Sequence, residues 1–200
     1  MERIGSFVNS ATHDLFFNGC TSCEGICCNG RKGFAASPLI LEDFEMVYRH
    51  FAIVFSFDHE GELGVYVMLN DGKGHCIYFS DNRCTIYEQR TPACRLYPVS
   101  SYFEHILIDT ACPSVSQSNG IPLCQNGILN PSFYTQRLEN FVAKRKATKE
   151  FLEQMNHEER FVYCGEVLGL PLFQYARQSD NPYIIMHQMS LQHLKIGTLG

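Results

Sequence analysis

Residues 41–51 place Phe44, Val47, Tyr48 and Phe51 at three- and four-residue spacing, with acids early and bases late, which predicts a short amphipathic helix. The pattern then changes. Residues 51–57, 63–69 and 75–79 are β-branched and aromatic runs separated by Asp58-His59-Glu60-Gly61 and Asn70-Asp71-Gly72-Lys73-Gly74, the signature of a small antiparallel meander. Residues 101–110, with Tyr102, Phe103, Ile106 and Ile108, add one further strand before Cys112. Beyond Asn130-Pro131, a cap and a favourable first helical residue, Tyr134, Leu138, Phe141, Val142, Leu152 and Met155 recur at helical spacing, predicting one long helix from 131 to about 155. Asn156-His157-Glu158-Glu159 resembles a capping box ahead of Phe161, Val162, Val167 and Leu168, with Gly169-Leu170-Pro171 as the stop, predicting a second helix.

Residues 1–33 lack such periodicity and carry Gly19, Gly25, Gly30 and Gly33, as expected of a loop folded tightly around a ligand. Residues 114–127 are polar and contain glycine, which puts a boundary near residue 125. The expected fold class is α+β: a small cysteine-rich metal-binding domain with a short antiparallel meander and irregular loops, followed by a helical C-terminal part. Residues 1–125 form the cysteine-cluster region and 126–200 a helical extension packed on it.

Two hundred residues, 45% hydrophobic with 15 Phe and 10 Tyr, suffice for a sizeable core. A net charge of -5 and 18% charged residues leave no basic stripe for phosphate backbones, so nucleic acid is excluded as a partner. No window approaches the ~18–20 apolar residues of a membrane span, and the first ten residues contain no signal-like apolar run, so the expected location is cytoplasmic. In a reducing compartment, ten cysteines hold metal or do redox chemistry rather than form structural disulfides.

Eight of the ten fall in order: Cys20, Cys23, Cys27 and Cys28, then Cys76, Cys84, Cys94 and Cys112. Cys20 and Cys23, three residues apart in a glycine-rich stretch, can converge on one centre. In an extended stretch the adjacent Cys27 and Cys28 would point opposite ways and not readily share an ion. The later four are too widely spaced for a second knuckle, so the fold must bring them in, and metal binding would contribute to folding. Iron–sulfur and zinc both accept four cysteines. Flanking Phe16, Phe17, Ile77, Tyr78, Phe79 and Tyr87, with Cys112-Pro113, favour a 4Fe-4S cluster, with zinc as the alternative.

Arg90 and Arg95 are candidates to neutralise a thiolate centre or bind an anionic substrate, against the default of surface ion pairing. Tyr87 and Tyr97 are candidate donors to sulfur, against ordinary half-buried tyrosines. His75 adjoins Cys76 but is expected to face solvent, and Cys164 sits among apolar neighbours as a buried thiol. No phosphate-binding Gly-Lys-Ser/Thr loop, Ser-His-Asp signature or dinucleotide fingerprint is present.

The stretch from Cys84 to Pro98, containing Ile86-Tyr87, Arg90-Thr91-Pro92 and Cys94-Arg95-Leu96-Tyr97-Pro98, resembles, together with Cys20 to Cys28, a cysteine-cluster family of zinc- or iron-chelating domains with a CxxCxxxCC signature. Members usually have proline directly after the arginine; here Thr91 stands between Arg90 and Pro92. The cysteine-rich domain of flagellin lysine methylase is similar, with a Cys-Pro that would match Cys112. The resemblance implies a metal ion or cluster as ligand. It leaves open an enzyme of the protein-lysine methylase or redox type, and a structural zinc protein binding a partner through its C-terminal helices.

Overall fold

The computed structural model describes residues 3–4, 6–20, 25–31, 34–102, 105–156 and 160–195, with backbone alone at 3–4, 92–93, 101–102, 105 and 132–137. Cys23, Gly33, Phe103 and His157-Glu158-Glu159 of the expected capping box lie outside the described residues, as does the side chain of Tyr134. Along the chain run β1 (Arg3–Ile4), β2 (Phe7–Asn9), β3 (Leu15–Phe17), β4 (Ala36–Pro38), α1 (Phe44–Val47), β5 (Ile53–Phe57) and β6 (Leu63–Met68). They are followed by β7 (Phe79–Ser80), β8 (Arg83–Cys84), α2 (Pro92–Leu96), β9 (Val99–Tyr102), β10 (His105–Asp109) and β11 (Val115–Ser116). The last elements are β12 (Ile121–Gln125), β13 (Ile128–Leu129), α3 (Pro131–Met155), β14 (Phe161–Val167), β15 (Leu170–Tyr175) and α4 (Pro182–Ser190). Helices mix with antiparallel sheets, as an α+β chain requires.

The principal sheet has the order β14-β15-β5-β6-β4. Alternation along β5 and β6 serves two cores, because successive side chains leave opposite faces of a strand. Ile53, Phe55, Val65 and Val67 join Phe44, Val47, Phe161 and Tyr175 on one face. Val54, Met68 and Leu172 pack with Ala35, Ala52 and Val167 on the other. Burial on both faces is why β5 reads as a near-continuous apolar run. Two smaller sheets, β1-β2-β10-β9 and β11-β3-β12-β13, contribute to a third core of Val8, Leu15, Val99, Ile108 and Leu123, sealed by Leu96 of α2 and Leu138 of α3.

Several expectations need correction. Residues 161–167 form β14 rather than a helix: Phe161 and Val167 are buried, Val162 and Tyr163 exposed, and the register shifts between Tyr163 and Gly165. Leu168 and Gly169, with φ of 51° and 81°, close a two-residue hairpin, so that Gly-Leu-Pro marks a turn and the start of β15. The meander has two long strands, β5 and β6; β4 pairs with β6 on one side, and the distant β15 pairs Phe173 with Phe55 on the other. Residues 75–78 stay outside a strand, with His75 in an isolated bridge to Asn29. The expected single strand at 101–110 is a hairpin, β9 with β10. The helix at 41–51 shortens to a 3-10 turn at Leu41–Asp43 and four residues of α1. The supposed loop of 1–33 contributes β1, β2 and β3, and the 114–127 connector contributes β11 and β12. The long helix spans Pro131–Met155 as its apolar spacing requires.

Candidate metal centre

The cysteine-bearing turn begins at Gly25, whose φ of 69° is a left-handed conformation that glycine adopts without penalty. A 3-10 turn follows at Ile26–Cys28, with the Cys28 N–H donating to the Gly25 carbonyl at 2.8 Å. The stretch is wound rather than extended, so the condition under which adjacent cysteines diverge is not met. The Cys27 and Cys28 sulfurs are 3.9 Å apart, close to the ~3.8 Å between two thiolates on one tetrahedral ion with metal–sulfur bonds of about 2.3 Å.

Backbone pairing ties this turn to the segment that brings Cys76. The Cys76 N–H donates to the Cys28 carbonyl at 2.7 Å, and the Gly30 N–H to the Gly74 carbonyl at 2.8 Å. From there β7 and β8 form a hairpin whose turn residues Asp81 and Asn82 both have positive φ, 50° and 57°, as a two-residue primed turn demands. The hairpin sets Cys84 opposite Phe79. Finally, α2 presents Cys94 toward these segments while its Leu96 is buried in the third core, which anchors the helix from behind.

Cys20, Cys27, Cys28, Cys76, Cys84 and Cys94 line one cavity of about 410 Å³. Phe51, Leu69, Phe79 and Ile86 supply apolar wall, and Tyr87 and Arg90 stand at it as well. Cys23 lies outside the described residues. Among the described residues no three His, Cys, Asp or Glu side chains stand in the geometry of a closed metal site; the cysteines share a cavity rather than a completed coordination shell. No described cysteine is in a disulfide.

Electrostatics agree with the clustering. Burial pushes the Cys76 thiol up to about 11, and the neighbouring Cys94, Cys84 and Cys27 push it the same way. Burial likewise raises Cys94 to about 11, opposed by a hydrogen bond from Thr91 and by the Arg90 charge. Cys27 is raised by its hydrogen bond with Cys28, then by burial, and lowered by Arg90. Mutually repelling sulfurs in an apolar cavity are the donor set a thiophilic cation stabilises.

The other candidate residues divide. The Arg90 guanidinium carbon lies 3.4 Å from the centre of the Tyr87 ring, and its Nε donates to the Tyr87 carbonyl at 2.8 Å. This stacking holds the cation at the cavity. Arg95 turns away, donating through Nε to the Arg90 carbonyl at 2.9 Å and through Nη2 to the Glu88 carbonyl. It braces the loop that carries Arg90. Tyr97 is half-buried and donates to the Asp109 carboxylate at 3.0 Å; burial, then Asp109 and Cys112, raise its hydroxyl. Cys112 is buried and is not among the residues lining the cavity. Cys124 donates to the His13 carbonyl at 3.1 Å, and Cys164 packs on the opposite face of the main sheet.

Gly25 is marked in the sequence with Gly19, Gly30 and Gly33 as a tight-turn residue of the cysteine loop, but the contact that makes it indispensable, with Phe79, is not. A Cβ there would stand 2.2 Å from the Phe79 ring. Gly25→Ala is expected to cost at least about 2 kcal/mol from positive φ and the ring's displacement. It should also lower metal uptake relative to wild type, checked by a thermal melt and by metal analysis of the same preparation.

The model of the CxxCxxCC family, described as a putative zinc- or iron-chelating domain, matches residues 19–160. The chain belongs to this family. The matched stretch takes in the cysteine turn, both strands β5 and β6, α2 and all of α3, so zinc or iron chelation is the family's description of the region that builds the cavity. No curated protein matches the chain. No solved structure matches it. Among the described residues no helix is long and apolar enough to cross a membrane.

Proposed function

We propose that the chain holds an iron–sulfur cluster of the four-iron type in the cysteine cavity, within a reducing compartment such as the cytoplasm. The observation that carries this reading is the convergence of six cysteines from the 20–28 stretch, the 76 turn, β8 and α2 on one cavity of about 410 Å³, more room than a single ion with its ligands fills. Cys20, Cys27, Cys28, Cys76, Cys84 and Cys94 supply the ligands from the cavity wall, and Cys23 and Cys112 remain the two further candidate ligands of the eight-cysteine motif. A cluster supplies one-electron chemistry when bound. The chain's own part is to exclude water with Phe51, Phe79 and Ile86 and to offset thiolate charge with Arg90.

Zinc is the second reading, supported by the 3.9 Å separation of Cys27 and Cys28. Anaerobic purification followed by visible spectroscopy and assay of iron, zinc and sulfide decides between them. Brown protein with iron and acid-labile sulfide is expected; colourless protein with stoichiometric zinc overturns the cluster. The cavity's Arg90 and Tyr87 also suit an enzyme that uses the metal site, of the protein-lysine methylase type that the resemblance to flagellin lysine methylase suggests or of a redox type. Binding of S-adenosylmethionine to the metal-loaded protein tests this, and its absence removes the methylase reading.

A further inference from the structure

Thr91 stands between Arg90 and Pro92, and its side chain is almost fully buried, at 1% exposure. Pro92 is the first residue of α2, where its missing N–H costs nothing, and Thr91 takes the place before it. The Thr91 hydroxyl oxygen accepts the Cys94 N–H at 3.3 Å, as an N-terminal cap does. The same hydroxyl lies 3.2 Å from the Cys94 sulfur. Since the oxygen is accepting from the helix, the one proton of the hydroxyl is left for the sulfur.

We infer that Thr91 is a positioning residue that sets the donor strength of Cys94 in the centre. The inference rests on the reading of the cavity as a metal–thiolate site. Two bonds to one residue fix both ends of Cys94: the backbone amide orients the first turn of α2, and the O–H···S bond draws electron density from the thiolate. A sulfur so bonded gives less charge to its metal, which raises the energy of sulfur-to-metal charge transfer and favours the reduced state of an iron centre. Arg90 acts on the same sulfur through space, whereas Thr91 touches it.

The test uses the full chain, loaded anaerobically with cobalt(II), whose thiolate charge-transfer band reads sulfur donor strength whichever metal is native. Wild type, Thr91→Val, Thr91→Ala and Thr91→Ser are compared. The expected result is a band shifted to longer wavelength in the valine and alanine variants at unchanged cobalt stoichiometry, and a wild-type band in the serine variant. Iron-loaded protein should show a midpoint potential shifted negative in the same two variants. Loss of the helix cap alone would lower the melting temperature of both without moving the band; that outcome overturns the inference and leaves the centre intact. Wild-type protein with no thiolate band overturns the centre and this inference together. The alanine variant provides the reading if the valine variant fails to fold.

Discussion

Cys76→Ser and Cys94→Ser are each expected to retain less than roughly a tenth of the wild-type metal, because one lost thiolate exceeds the 10- to 100-fold cost of a lost supporting residue. Both cysteines join the fold at load points: Cys76 through the backbone bond to Cys28, and Cys94 on a helix whose next buried residue, Leu96, enters the third core. Both sulfurs also pack against the largest core. An emptied centre leaves repelling, buried thiols where the metal had offset them, so melting should fall as well. A centre contributing about 3 kcal/mol to folding corresponds to a drop of about 6–12 °C for a chain of this size. Strong chelator under reducing conditions should reproduce that drop in wild type. Cys164→Ser is the control, since that thiol lies on the far face of the sheet, and it should keep full metal content. Equal metal in the Cys76 and Cys164 variants would refute the assignment.

The second large effect is expected at His187, whose ring is fully buried. Its Nδ1 lies 2.8 Å from the Ile53 carbonyl, and its Nε2 accepts the Tyr175 N–H at 3.0 Å. A carbonyl can only accept and an amide only donate, so the neutral ring carries its proton on Nδ1. The histidine thereby joins α4 to β5 and β15. His187→Ala should cost about 4 kcal/mol, from a cavity beside Phe55 and from two stranded backbone groups. His187→Phe keeps the volume and should still cost about 2 kcal/mol for the polar groups alone.

Burial holds the folded His187 at about 4, below its ordinary 6.5. Above pH 6.5 both folded and unfolded chains are neutral at this residue and its contribution is complete. As pH falls from 6.5 toward 4, the unfolded chain gains a proton that the folded chain refuses, so up to about 3 kcal/mol of stability is lost. Urea denaturation across that range should show a slope in wild type that flattens in His187→Phe; parallel slopes would exclude His187 as its source.

Periodicity made the strongly patterned elements legible. The spacing from Tyr134 to Met155 gave the limits of α3, and the apolar runs marked β5 and β6. What failed were segments whose side chains serve the site or whose partner is remote. His75 to Phe79 has strand composition, yet Phe79 is spent on the cavity wall and on stacking with His75 at 5.0 Å. The 161–168 segment has apolar ends compatible with either period, and only pairing with β15 and the shift at Gly165 decide it. Of the candidate site, the cysteines of the turn, β8 and α2 were legible as donors. Their convergence was expected from the spacing, but not its means, the carbonyl-to-amide pairing between residues 28 and 76, which leaves no trace in residue identity. Thr91 read as a local irregularity because its role is a matter of hydroxyl geometry.

The position of β15 in the principal sheet has a consequence for the order of events during synthesis. Ile53 is bonded to His187, 134 residues later, and to Ser190, so the strand that backs the cysteine segments lacks neighbours on one side until β15 and α4 have emerged from the ribosome. Such separations slow folding and prolong exposure of unpaired edges. All the cavity's cysteines are translated well before that moment. A growing chain therefore carries those thiols on an unfinished scaffold until residues 170–190 have been made, and a metal held in the cavity would gain its full support only then.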